Sequence, residues 1–153
     1  MKQPKSAYVC GPLTELSLRM QRRAKRFYVR IADLCQKVTG KRAFVPHEHY
    51  DPVKHAHFQP SDVDTAERHQ IRHHTTRLIV VAIAPTWGGG IEVEMANRYG
   101  VPAIILVERD KLARRKISRL LRGNPAVKEI IAYDTENEAL QKLRLELTKP
   151  VAA

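Results

Sequence analysis

The chain has little cysteine: Cys10 and Cys35 are the only two in 153 residues, too few for a disulfide framework, and neither sits in a CxxC pair or another zinc-ligand spacing. Both are expected to be reduced core thiols. Long apolar runs are missing as well. The longest, residues 78–84, is closed by Pro85 and falls far short of the ~20 residues a membrane-spanning helix needs, so no transmembrane segment is expected. Residues 1–5 lead straight into a β-prone run without an apolar signal region or a small-residue cleavage site, and the expected location is the cytoplasm. Internal repeats and low-complexity linkers are absent, so at ~100–200 residues per domain the chain reads as a single domain over 1–153. Acidic residues are also in short supply. Against 27 Lys+Arg stand 16 Asp+Glu, for a net charge of +11, which favours anionic partners such as nucleotides or nucleic acid without choosing among them.

Of what is present, 43% is hydrophobic and 28% charged, ordinary for a folded globular chain. Residues 6–10 are β-prone and end at Gly11-Pro12. Leu16, Met20, Ala24, Phe27, Ile31, Leu34 and Val38 then recur at spacings of three and four, one stripe of a long helix that Gly40 can stop. A second strand is expected at 42–45, a loop at 47–60, and a helix from Ser61 as cap to about Thr76. The run 78–84 is apolar on both faces, as in a central strand covered on each side. A turn at 85–90, a helix at 91–99, a strand at 101–107, a basic helix at 112–122, a strand at 127–133 and a helix at 135–148 complete the chain. Such alternation implies an α/β three-layer sandwich, flavodoxin- or Rossmann-like, with a five-stranded parallel sheet in the order 2-1-3-4-5.

In sheets of that kind ligands bind beyond the carboxyl ends of the strands, where neighbouring connections diverge to opposite faces. The loops concerned are Gly11, Pro12, Leu13 and Thr14 after strand 1, and residues 85–90, with Gly88, Gly89 and Gly90, after strand 3. Backbone bare of side chains lets a ligand approach closely, and N–H groups at a helix start can hold a phosphate or sugar oxygen. Glu92 and Glu94 follow in what reads as the first helical turn, where the dipole keeps a carboxylate ionised and nucleophilic. They are about 200° apart around a helix, so at most one faces the crevice, and the helical wheel does not decide which.

The segments Tyr8-Val9-Cys10-Gly11-Pro12-Leu13, Gly90-Ile91-Glu92-Val93-Glu94-Met95-Ala96 and Gly100-Val101-Pro102-Ala103-Ile104 resemble the nucleoside 2-deoxyribosyltransferase superfamily, closest in character to its nucleoside 5′-monophosphate N-glycosidase branch. The resemblance spans roughly residues 6–108. It implies an enzyme that breaks the N-glycosidic bond of a nucleoside or nucleoside monophosphate without a cofactor or metal. The family's nucleophilic glutamate, four residues after a glycine, matches Glu94, and its aromatic near the reacting sugar matches Tyr8. The acid that many members carry before strand 3 falls on Gln70, with Glu67 and His69 nearby. The transferases' aspartate falls on Gly88, which tilts the reading towards hydrolysis, and Glu92 stands where many relatives have glycine. The resemblance further implies a homodimer.

All seven histidines lie between His47 and His74. They supply one or two candidate pocket-lining side chains, His47 first among them, and metal binding is not expected. Basic helices carrying Arg19, Arg22, Arg23, Lys25, Arg26 and Arg30, and Arg114, Arg115, Lys116, Arg119 and Arg122, could track nucleic-acid phosphates, but without an accompanying recognition motif a solvated face is favoured. The competing functional reading is a nucleotide-binding or nucleic-acid-associated module that kept the fold and lost catalysis.

Overall fold

The computed structural model describes residues 4–151. Strand β1 (Ser6–Cys10) feeds a long helix α1 (Leu18–Thr39), and a short helix α2 (Pro46–Tyr50) and helix α3 (Pro60–His74) lead into β2 (Thr75–Val81). Helix α4 (Trp87–Arg98), β3 (Ala103–Glu108), the short α5 (Arg109–Ala113) and α6 (Arg119–Arg122), β4 (Val127–Tyr133) and α7 (Glu136–Thr148) follow. No described helix is long and apolar enough to cross a membrane.

The fold is α/β with a parallel sheet, but the sheet has four strands in the order β1-β2-β3-β4, not five in the order 2-1-3-4-5. The expected strand at 42–45 makes one isolated bridge, between Phe44 and Tyr8. Val9 N–H donates to Phe44 O at 2.9 Å and Phe44 N–H to Ala7 O at 2.8 Å. A longer ladder is prevented from both sides, because α1 ends at Gly40 in the left-handed region (φ 76°) and Pro46 already opens α2. The central strand starts at Thr75 rather than Leu78, and α3 starts at Pro60 with Gln59 ahead of it rather than at a Ser61 cap. The basic stretch 112–122 is broken into α5 and α6, with Arg115 at φ 55° between them.

Alternation along the strands builds two cores. Val9, Ile79, Val81, Ile104 and Leu106 pack with Phe27, Ile31 and Leu143 of α1 and α7 on one face. Tyr8, Cys10, Leu78, Val80 and Ile105 pack with Ile71, Val93 and Ala96 of α3 and α4 on the other. Connections after β1 and β2 therefore leave for opposite faces, the first to α1 and the second to α4, and they open a crevice at the carboxyl ends of these two strands. The α1 face is further tied by Arg77, a buried β2 side chain that donates to the Glu146 and Lys149 carbonyls at 3.0 and 3.2 Å. The Glu146 carbonyl also accepts from Lys149 N–H at 3.2 Å, so the guanidinium joins the backbone cap that closes α7.

Candidate active site

The Gly88-Gly89-Gly90 run lies inside the first turn of α4, which starts at Trp87. Glu92 therefore falls in the second turn, on the face buried with Gly89, Val93 and Ala96. Strand β1 presents Tyr8 and Cys10 to the same face. Tyr8 Oη donates to Glu92 Oε1 at 2.6 Å and Cys10 Sγ donates to Glu92 Oε2 at 2.8 Å. Both donors are neutral at ordinary pH, since burial first and the Glu92 charge second push the phenol and the thiol well above their usual values. Glu92 is only 8% exposed. Its burial raises its pKa, and the hydrogen bonds from Cys10 and Tyr8 oppose that rise by favouring the ionised form.

A second carboxyl is linked to this one through its charge. Glu67, half-buried on α3, is pushed up to about 8 by burial and then by the negative charges of Glu92 and Asp64. Two such neighbours hold one proton between them below that pH. Burial raises both carboxyls, and the hydrogen bonds from Tyr8 and Cys10 favour the charged form at Glu92, so of the two Glu67 is the one suited to carry the proton.

Glu94 lies outside this cluster. It is exposed, and its carboxylate accepts from Asn97 Nδ2 at 3.3 Å and Asn124 Nδ2 at 3.0 Å. Gln70 also stays out: its carbonyl accepts from Thr75 Oγ1, and its side chain lines a separate groove of about 680 Å³ with Tyr50, Asp62, Thr65, His69 and His74. Glu94 and Gln70, to which the resemblance assigns the nucleophile and the acid, thus both stand outside the buried Tyr8–Cys10–Glu92 cluster.

The crevice loop runs from Gly11 to Thr14. Pro12 is buried, its carbonyl accepting from Tyr28 Oη at 2.6 Å, and Leu13 O accepts from Leu16 N–H at 3.0 Å, while Thr14 is exposed. Gly11 is required by a close approach, since a Cβ there would lie 2.4 Å from Tyr28 Oη and 2.6 Å from the ring carbon bearing it. His47 packs toward the same tyrosine, ring centroids 6.1 Å apart, and its buried Nδ1 has no hydrogen-bond partner within the protein. Burial lowers its pKa, so the imidazole is neutral at pH 7. Gly89 is buried against Cys10 Sγ, whereas Gly88 and Gly90 are exposed. An aromatic stack that the sequence reading missed runs outward from the site, from Tyr8 to Phe44 at 5.3 Å and from Phe44 to His49 at 4.6 Å. The expected order 2-1 puts the segments of Tyr8 and Phe44 side by side, and the bridge between 8 and 44 shows which residues meet.

Of the other histidines, His69, His73 and His74 gather at the end of α3 with ring separations of 4.7 to 6.3 Å. Among the described residues no three His, Cys, Asp or Glu side chains form a group that could hold a metal. Several of the basic side chains are engaged within the protein: Arg23 and Arg30 approach Glu136 at 3.9 and 3.6 Å, and Arg114 approaches Asp110 at 2.9 Å.

No family model matches the chain, and no curated protein matches it. Solved structures do. The CMP N-glycosidase BcmB of Clostridium botulinum superimposes with a TM-score of 0.64 over 91% of this chain and 98% of its own, at 21% identity. This chain has the fold of BcmB. A conserved protein from Enterococcus faecalis V583 (TM-score 0.61, 15% identity, 94% of this chain and 99% of its own) and BlsM (0.59, 16%, 100% and 99%) share it too. The three agree with the fold that the resemblance drawn from the sequence implied, and each is matched over almost its whole length.

Proposed function

We propose that this protein hydrolyses the N-glycosidic bond of a nucleoside 5′-monophosphate, with Glu92 as nucleophile and Glu67 as the proton donor. The observation that carries the reading is the buried Glu92 carboxylate, held by Tyr8 and Cys10 at the crevice between β1 and β2 with the Glu67 carboxyl linked to it through its charge. The fold shared with a CMP N-glycosidase supports it.

In the first step a Glu92 oxygen donates a lone pair to C1′ as the C1′–N bond breaks. The bond's electrons leave with the base, and the Glu67 proton neutralises that base. Water then attacks C1′ and gives a proton back to Glu67, and the C1′–O bond returns its electrons to Glu92. These are the two steps of a retaining glycosidase. In this reading Gly11, Pro12, Leu13 and Thr14, with the first turn of α4 around the exposed Gly88, hold the sugar and its 5′-phosphate. His47 supplies a neutral imidazole at the Gly11 end.

The proposal includes a homodimer. Trp87 and Ile91, one turn apart on α4, are 94% and 53% exposed, an apolar surface beside the crevice of the kind that a partner subunit covers. It also places the enzyme in the cytoplasm, where Cys10 and Cys35 stay reduced. The test is to incubate the protein with a panel of nucleosides and 5′-monophosphates, CMP among them, with and without a second free base, and to follow base release by chromatography. Release of one base from a monophosphate, unaffected by the second base, is the expected result. Binding without release from every member of the panel would leave a nucleotide-binding module instead.

A further inference from the structure

The two oxygens of Glu92 are not equivalent. Oε1 accepts from a phenol, and Oε2 accepts from a thiol, and S–H is a weak donor beside O–H. Their depths differ too. Cys10 is the last residue of β1, while Tyr8 lies two residues deeper, roughly 7 Å at the usual strand rise. Cys10 is followed at once by the Gly11-Pro12 turn, and its sulfur lies 3.8 Å from the Gly89 carbonyl at the start of α4. Oε2 therefore sits on the crevice side of the carboxylate and Oε1 on the core side.

We propose that Cys10 is a positioning residue that marks Oε2 as the attacking oxygen of Glu92, holding it toward the crevice by a hydrogen bond weak enough to be given up when C1′ arrives. The assignment rests on the glycosidase reading above. When Oε2 forms the C1′–O bond and the C1′–N electrons pass to the base, Oε2 becomes an ester oxygen and a poor acceptor. Oε1 becomes the carbonyl oxygen and keeps the Tyr8 hydrogen bond. A strong donor on Oε2 would hold back the lone pair that must attack, and a strong donor on Oε1 does not. Burial keeps the Cys10 thiol protonated, so it acts as a donor and does not compete as a nucleophile.

The experiment compares Cys10→Ser and Cys10→Ala with the parent protein in base-release turnover across pH, with melting temperature as a check on folding. A serine hydroxyl binds Oε2 more tightly, so kcat should fall about 10-fold at unchanged KM, a change of the size expected when a stronger hydrogen bond must be given up. The acid limb of the profile should move to lower pH. Alanine leaves Oε2 without the donor that holds it toward the crevice, so kcat should fall about threefold, less than in Cys10→Ser, while the acid limb moves to higher pH, one hydrogen bond to the carboxylate being lost. A role limited to packing has the opposite order, because serine fills the site and alanine leaves a void. Turnover that falls more in Cys10→Ala than in Cys10→Ser overturns the assignment while the glycosidase reading stands. A parent protein that releases no base overturns both.

Discussion

Glu92→Gln and Glu94→Gln separate the proposed site from the one that the family resemblance implies. In the first variant the charge meeting the developing oxocarbenium is lost, while size and one acceptor for Tyr8 or Cys10 remain. Opposite unit charges ~3 Å apart at an effective dielectric constant of ~20 attract by about 5 kcal/mol, and at 1.36 kcal/mol per decade that is about 10⁴ in rate. Turnover of Glu92→Gln should therefore fall by about 10³- to 10⁴-fold with nucleotide affinity retained. Its melting temperature should not drop, since removing a buried charge offsets the weakened hydrogen bonding. Glu94→Gln disturbs only exposed contacts with Asn97 and Asn124, and should stay within about threefold in turnover and within about 1 kcal/mol in stability. Base release, nucleotide titration and thermal melting on both variants make the comparison. A folded Glu92→Gln with near-normal turnover, beside an inactive Glu94→Gln, would refute the reasoning.

Glu67→Gln should abolish the alkaline limb of the rate profile near pH 8, where Glu67 loses its proton. It should also change the pH dependence of melting. The folded carboxyl holds its proton up to about 8 against an ordinary value of 4.5, so parental stability declines as pH rises through that window while the glutamine protein does not follow, and the gap in melting temperature widens with pH. Gly11→Ala must displace the Tyr28 ring and should destabilise by about 1–3 kcal/mol, whereas Gly90→Ala, with nothing within 4 Å of the new Cβ on a helix, should stabilise by up to about 1 kcal/mol; chemical denaturation measures both. Arg77→Ala removes the side-chain partner of the Lys149 carbonyl and one of the two partners of the Glu146 carbonyl and should cost about 1–3 kcal/mol in the same assay. Light scattering at micromolar concentration should show a dimer, with Trp87→Glu shifting it toward monomer.

Elements with strong internal pattern were legible from the residues alone. The limits of β1 and β4 agree with the runs at 6–10 and 127–133, and α1 follows its apolar stripe to the glycine that stops it. Legibility failed where one element had to be weighed against its neighbours. Residues 42–45 have a strand's composition, but of the five residues between the turn at Gly40 and the helix opened by Pro46 only Phe44 bridges to β1. Residues 112–122 have a helix's composition, but Leu112, Ile117 and Leu121 all pack onto the same core. At spacings of five and four they cannot do so along one straight helix, and Arg115 takes the left-handed bend that lets them.

The site shows the same division between residue type and residue register. Three consecutive glycines followed by Glu-x-Glu satisfy a spacing of four twice, as Gly88 with Glu92 and as Gly90 with Glu94. The start of the helix separates the two registers. With α4 beginning at Trp87, Gly89, Glu92, Val93 and Ala96 share the buried face, and Glu94 is turned to solvent. The same periodicity applies on α3, where Ile71 is the buried residue. The position that shares its face is four residues earlier, at Glu67, and Gln70 is a quarter-turn or more away. Two helices that meet the sheet independently thus each turn one glutamate toward the end of β1. No lysine or arginine is among the groups that shift either carboxyl, in a chain with a net charge of +11. A buried acidic pair without a cation lowers stability, and such a pair in the crevice where this fold binds its ligands is the arrangement expected where carboxylates act on a substrate rather than on the fold.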